Sequence, residues 1–278
     1  MSAPCDATSE RKGPRIGRWS TRCGISGRSS CWCRRPGGRG GRRAGLLRDR
    51  DLLPQFPPVG GCTAESPTGE VVVTGEVGAA YSSRAQEYID HLGSIASVHP
   101  SDLELVARWA DQLDGPLIDA GCGPGHWTGH LAARGVDVRG VDQVPEFVSH
   151  ARRTHPGCRF EVGDLDALPR SPGEVAGILA WYSLIHHEPA TVRPTLLRMA
   201  RCLRPGGGLL LGFFHGAEVE RFDHAVAGAY RWSVEALSEE LRMADFEVIE
   251  TYTRTGPGAR PHGAIVARLM SAHDGRAE

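Results

Sequence analysis

Apolar and polar positions follow no sustained period over roughly the first 70 residues, and clear periods from there on. Tyr81, Ala85, Tyr88, Ile89 and Leu92 recur at helical spacing and predict an amphipathic helix over 81–93. A second helix is expected over 101–115. There Ser101 stands as N-cap, Glu104 completes a capping box and Gly115 marks the stop. Short apolar runs at 117–121, 138–142, 158–163, 175–183 and 207–214 then read as strands. They alternate with helical runs at 125–134, 145–154 and 189–203. A helix at 234–244 behind the cap candidate Ser233, and strands at 246–254 and 263–269, complete the series. Strands alternating with helices build a parallel sheet covered on both faces. The expected fold class is α/β: a doubly wound, mostly parallel seven-stranded sheet with helices on both faces, preceded by a disordered N-terminal tail. Residues 1–70 would be the tail and 71–278 the domain.

Composition explains why the tail is set apart. "RRPGGRGGRRAGLLRDRD" is dominated by Arg and Gly, and "LLPQFPPVGG" is broken by proline. Such a stretch cannot bury enough apolar surface to offset its ordering entropy. The net charge of −1 hides an asymmetry: residues 1–65 hold 13 arginines and lysines against five acids. An Arg/Gly tract can attract nucleic acid. No aromatic residue interleaves this one to offer a stacking platform, so a nucleic-acid partner is disfavoured. Five of the eight cysteines lie in the same stretch, where Cys31 and Cys33 form C-x-C rather than the C-x-x-C of common zinc sites. No metal site is expected. Cys122, Cys158 and Cys202 read as small buried residues in a reducing compartment. No apolar run approaches the ~20 residues that span a bilayer, and no apolar segment follows Arg34-Arg35. The expectation is no membrane partner and a cytoplasmic location.

The stretch that carries chemistry is "LIDAGCGPGHWTGHLAARG", residues 117–135. An acid, Asp119, sits in the first strand, and Gly121, Gly123 and Gly125 follow before a helix. Glycines at a strand-to-helix junction let backbone N–H groups approach a ligand closely. The dinucleotide fingerprint G-x-G-x-x-G is not met, because its sixth position is His126 and Pro124 interrupts the loop. A nicotinamide oxidoreductase is therefore disfavoured. Asp142 closes the second strand, where an acid can accept from both ribose hydroxyls. Asp164, in "GDLDALP", follows the third strand. "LRPGGGLLLG" leads into the fifth.

This series, over about residues 76–269, resembles the class I methyltransferases that use S-adenosylmethionine. The resemblance implies S-adenosyl-L-methionine as cofactor, with the glycine loop (Asp119, Gly121, Gly123, Gly125) at its methionine part. Asp142 would hold the ribose and Asp164 read the adenine. "YSSRAQEY" resembles the first helix of small-molecule members, which folds over the cofactor, and makes Tyr81 and Arg84 candidate contacts. The fourth strand ends "AWYSLIHHEP". It lacks the Asn/Asp-Pro-Pro-aromatic motif of amide and adenine methylation and the Pro-Cys of cytosine methylation. That favours a small-molecule acceptor.

The reaction needs a nucleophile held in line with the methyl group, water excluded, and a base only if the nucleophile must lose a proton. His186 and His187 are the base candidates. The long connection at 215–233, with His215, His224, Tyr230 and Trp232, reads as a lid or binding loop. Two alternatives stay open: methylation of RNA or protein with the basic tail as anchor, and a non-catalytic domain that binds S-adenosylmethionine.

Overall fold

The computed structural model describes residues 75–168, 173–256 and 259–271. The tail expected over 1–70 lies outside the described residues. Leu117–Ala120 (β1), Val138–Asp142 (β2), Arg159–Val162 (β3), Val175–Trp181 (β4) and Leu203–His215 (β5) run parallel in the order β3-β2-β1-β4-β5. Phe246–Gly256 (β8) and Ala259–Leu269 (β9) form an antiparallel hairpin, and β9 pairs antiparallel with β5 from Gly208↔Arg268 to Phe214↔His262. These are the seven strands predicted from the sequence. All four residues of β1 and the first six of β4 are buried, as strands covered on both faces require.

The two faces are separately packed. Pro189–Cys202 (α6) and Val234–Arg242 (α7) bury Leu196, Met199 and Leu241 against Ile118, Ile178, Leu209 and Ile265. Pro100–Ala110 (α3) and His126–Ala133 (α4) bury Leu105, Trp109, Trp127 and Leu131 against Leu117, Leu179 and Leu210. Pro145–Thr154 (α5) covers β2 and β3 through Val148, Ala151 and Phe160. Alternate residues of one strand serve opposite faces, as the pleat dictates.

Three local expectations are corrected. The single helix predicted over 81–93 is two: Glu76–Ser83 (α1) and Ala85–Leu92 (α2), broken at Arg84, whose φ of −123° leaves the helical region. The apolar stripe survives the break, because Tyr81, Ala85, Tyr88 and Ile89 all pack with Val144 and Phe147. The second helix begins one residue earlier than expected. His99 is its cap, accepting from the Ser101 N–H at 3.2 Å, and Pro100 takes the first helical position. The helix ends at Ala110, and a turn carries the chain to Gly115. The long connection at 215–233 is not a plain loop. Glu220–Phe222 (β6) and Ala229–Trp232 (β7) form a hairpin there. β7 runs parallel to Phe214 and His215 of β5, beyond the point where β4 leaves that edge at Gly212. The hairpin therefore continues the sheet over the carboxyl end of β4, where ligands bind in doubly wound folds.

Candidate cofactor and acceptor site

The glycine loop hangs from β2. The Val141 carbonyl accepts from Gly121 N–H (2.8 Å) and Cys122 N–H (3.0 Å), and Gly125 N–H then donates back to Cys122 O (3.0 Å). Gly121 has φ +79°, and a Cβ there would lie 2.3 Å from the Ser183 Cβ at the end of β4. Glycine is thus imposed twice, by backbone and by packing. Gly123, at φ +52°, differs: a Cβ there would meet only Tyr88 Cε1, at 4.0 Å. Gly123 therefore borders open space. Beside the loop the Ser183 Oγ is buried with no hydrogen-bond partner. A buried hydroxyl without a partner, next to a glycine edge with room beside it, is what a bound polar group would complete. These features fit a cofactor seated on the loop.

Asp142 is 8% exposed, and both its oxygens brace backbone. Oδ2 accepts from Gly123 N–H (2.8 Å) and Oδ1 from Val144 N–H (2.9 Å) at the entry to α5. Each carboxylate oxygen retains further acceptor capacity. Burial pushes the Asp142 pKa up to about 6, against the pull of these two donors. Asp119 lies behind the loop. It is 1% exposed and accepts from the Thr128 hydroxyl of α4 at 2.7 Å. Burial lifts it to about 7, the Thr128 bond opposes, and the Asp142 charge adds. Asp164 is exposed at the end of β3, where its Oδ1 accepts from Asp166 N–H (2.9 Å). His187 sits near this pair. Burial lowers its pKa while Asp166 and Asp164 raise it.

The remaining predicted residues form a roof. The Tyr81 hydroxyl lies 2.9 Å from His186 Nε2, and His186 Nδ1 lies 2.8 Å from the Gly228 carbonyl. A carbonyl only accepts, so Nδ1 carries the proton and Nε2 accepts from Tyr81. Burial lowers the His186 pKa, with the Gly228 bond opposing. Arg84 donates to the Ala225 carbonyl (2.6 Å) and to Glu87 (3.0 Å). The first two helices, the loop after β4 and the β6–β7 hairpin are thereby tied together. Tyr81 and Tyr88 meet edge-on at 5.6 Å, and both pack on Phe147.

Beyond β5 lies a group the sequence reading did not assemble. Tyr182, at φ +59°, packs on Phe214 (5.1 Å) and hydrogen-bonds His262. His224 packs on His186 (5.3 Å), Phe214 (5.8 Å) and Phe222 (6.3 Å). Arg260 completes the group. Thr128 and Ser183 were also missed; a serine and a threonine in apolar runs carry no signal until their neighbours are known. Among the described residues no three His, Cys, Asp or Glu side chains are placed to hold a metal ion, and no helix is long and apolar enough to cross a membrane.

The strand order, the acid-braced glycine loop and the acids after β2 and β3 resemble those of class I methyltransferase domains, the Rossmann-like type that uses S-adenosylmethionine. Residues 117–207 match the family described as "Methyltransferase domain". Trans-aconitate 2-methyltransferase of Methylobacterium nodulans is 38% identical over 112 residues, 38% of this chain and 41% of that one. Malonyl-[acyl-carrier protein] O-methyltransferase of Erwinia billingiae is 30% identical over 132 residues, 47% of this chain and 50% of that one. The chain thus spans about half the length of these curated relatives. A crystal structure of Burkholderia thailandensis 1,6-didemethyltoxoflavin-N1-methyltransferase, with bound 1,6-didemethyltoxoflavin and S-adenosylhomocysteine, superposes with a TM-score of 0.59 at 20% identity. The match covers 75% of this chain and 94% of that one, and shares the fold.

Proposed function

We propose that this chain transfers the methyl group of S-adenosylmethionine to a small-molecule acceptor. One observation carries the reading. The glycine loop, braced by Asp142 and bordered by the unpartnered Ser183 hydroxyl, opens beneath a roof made by α1, α2 and the β6–β7 hairpin. A roofed space excludes water and admits an acceptor of limited size. The named relatives act on trans-aconitate and malonyl-[acyl-carrier protein], which agrees with a small acceptor group.

The cofactor supplies an activated methyl group bonded to a sulfonium sulfur. This chain's residues do the rest. The open backbone edge at Gly123 and the Ser183 hydroxyl meet the methionine part, and Asp142 offers its remaining lone pairs to the ribose hydroxyls. Asp164 faces the adenine end, Asp119 stiffens the loop from behind, and Tyr81 and Arg84 close the roof. His186 is a positioning residue while Tyr81 donates to it. Its Nε2 becomes the base where an acceptor bearing an O–H or N–H displaces Tyr81. His187, beside Asp164 and Asp166, belongs with the adenine end rather than the acceptor.

The test is calorimetric titration with S-adenosylhomocysteine and with NAD, followed by transfer of labelled methyl into metabolite, RNA and protein fractions. The expectation is binding of S-adenosylhomocysteine but not NAD, and label in the metabolites. Label confined to RNA or protein would replace the acceptor class. Binding with no transfer to any fraction would make the domain a non-catalytic binder.

A further inference from the structure

Arg260 overhangs the carboxyl edge of the parallel sheet. β9 runs antiparallel to β5 and their last partners are Phe214 and His262, so Arg260, two residues earlier, projects past the end of β5 on the same face as His262. Its guanidinium lies 5.8 Å from the Phe214 ring centre and 5.0 Å from that of Phe222. Nη1 is buried and has no hydrogen-bond partner. Two neighbouring arginines are answered by acids: Arg254 by Asp102 at 2.9 Å, and Arg231, on Phe222 at 4.8 Å, by Glu220 at 3.9 Å. Among the described residues no carboxylate forms an ion pair with Arg260. An unpaired buried N–H of a charged group is costly, and folds keep one where another molecule supplies the acceptor.

The surroundings limit the chemistry of that molecule. His224 and His262 flank the guanidinium. Burial, first, and nearby positive charge hold them down to about 3 and about 4, so both are neutral near pH 7 and Arg260, unlike Arg254 and Arg231, is a cation without an acid partner among the described residues. One planar cation with a donor fork matches one planar carboxylate, which can take two parallel N–H bonds. The aromatic rings around it suit a short carbon skeleton. The position also fits: Phe214 is 5.1 Å from Tyr182, which precedes Ser183 at the glycine loop, and His224 is 5.3 Å from His186 under the roof. Phe214 and Tyr182 thus link the cation to Ser183 beside the glycine loop, and His224 links it to His186.

We propose that Arg260 anchors a carboxylate of the methyl acceptor, which makes the acceptor a small carboxylic acid held between the β6–β7 hairpin and the start of β9. This rests on the methyl-transfer reading above. The anchor grips the ground state and the transition state alike, so it acts on KM more than on kcat.

The test uses the full chain saturated with S-adenosylhomocysteine, titrated with malonate, succinate and trans-aconitate and with malonamide and succinamide. At least one acid is expected to bind, the diamides are not, and Arg260→Gln should weaken the acid at least 30-fold. Arg260→Lys, which keeps the charge and loses the fork, should fall between and guards against a variant that fails to fold. S-adenosylhomocysteine affinity should stay within twofold in both. Equal acid binding by wild type and Arg260→Gln, or diamides binding as well as acids, overturns the anchor. So does a chain that binds S-adenosylhomocysteine and none of the acids, an outcome that leaves the methyl-transfer reading intact. Loss of S-adenosylhomocysteine binding in well-folded variants would move Arg260 to the cofactor and overturn the proposal. Failure of the wild type to bind S-adenosylhomocysteine would overturn the methyl-transfer reading itself.

Discussion

Asp142 braces the glycine loop and, in the proposed reading, holds the ribose, and two substitutions test these tasks. Asp142→Ala leaves the N–H groups of Gly123 and Val144 without acceptors, at about 1–3 kcal/mol each. Against that, burial has raised the carboxyl from its ordinary 3.8 to about 6. At roughly 1.4 kcal/mol per pH unit, keeping it ionised in the fold costs ~3 kcal/mol. Asp142→Asn removes that cost and loses one of the two acceptors, so its stability near pH 7 should lie within about 1–2 kcal/mol of wild type. Asp142→Ala also sheds the charge but loses both bonds and the packing, and should be less stable than Asp142→Asn by about 2 kcal/mol, or roughly 4–8 °C in melting temperature. Both variants should bind S-adenosylhomocysteine at least tenfold more weakly. The pH dependence carries the sign. The folded carboxyl holds its proton to a higher pH than the unfolded one, so this group's contribution to stability falls as pH rises from about 4 to about 6. Asp142→Asn should lack that fall. Melting curves across pH 4–8, with calorimetry near pH 7, decide the matter. Identical melting of the Ala and Asn variants would refute the brace. Undiminished affinity in Asp142→Asn would refute the ribose contact.

Other outcomes follow from the same geometry. Gly121→Ala, with a Cβ driven 2.3 Å from Ser183 at φ +79°, should lose about 2–4 kcal/mol in urea unfolding, whereas Gly123→Ala should lose only about 1 kcal/mol. A larger loss at Gly123 would mean that the space beside it is not open. Thr128→Val removes the hydroxyl from Asp119, which burial holds at about 7, and should cost about 1.5–3 kcal/mol at pH 8 and less at pH 5, where that carboxyl is protonated. Equal deficits at both pH values would show that Asp119 is not ionised in the fold. Tyr81→Phe takes the donor from His186 Nε2 and should lower stability by about 0.5–1.5 kcal/mol. An unchanged imidazole NMR titration of His186 in this variant would argue against the bond.

How much of this was legible in the sequence depends on how far apart the interacting residues lie. The glycine loop, Asp142 and Asp164 could be placed because each sits at the end of a strand that its own apolar run marks. The strands could be read because burial on both faces writes them as continuous apolar runs. The break at Arg84 could not, because the stripe of Tyr81, Ala85 and Tyr88 continues across it and packing keeps the rings on one side. The hairpin at 220–232 was hidden because its short strands alternate only weakly and depend on an edge of β5 that exists only after β4 has ended.

The acceptor side was the least legible, and the reason is topological. Tyr81 and His186 are 105 residues apart, and Tyr182 and His262 are 80 apart. Tyr182 and His262 meet because an antiparallel last strand returns its first residues to the carboxyl edge, while a parallel strand delivers its last ones there; Tyr81 reaches His186 from the first helix. The cofactor half of such a site is therefore written locally, strand by strand. The acceptor half is written wherever the chain happens to return, in the roof helices, the hairpin and the start of β9. Sequence reading of this fold can name the cofactor with some precision and the acceptor hardly at all. If the proposed roles hold, changes at Arg260, His224 or the β6–β7 hairpin alter what is methylated without touching the glycine loop, Asp142 or Asp164. Exchanging the hairpin residues 216–228 for a short turn should therefore leave S-adenosylhomocysteine binding within about threefold and abolish acceptor turnover. Loss of cofactor affinity in a folded hairpin variant would show that the two halves are not separable.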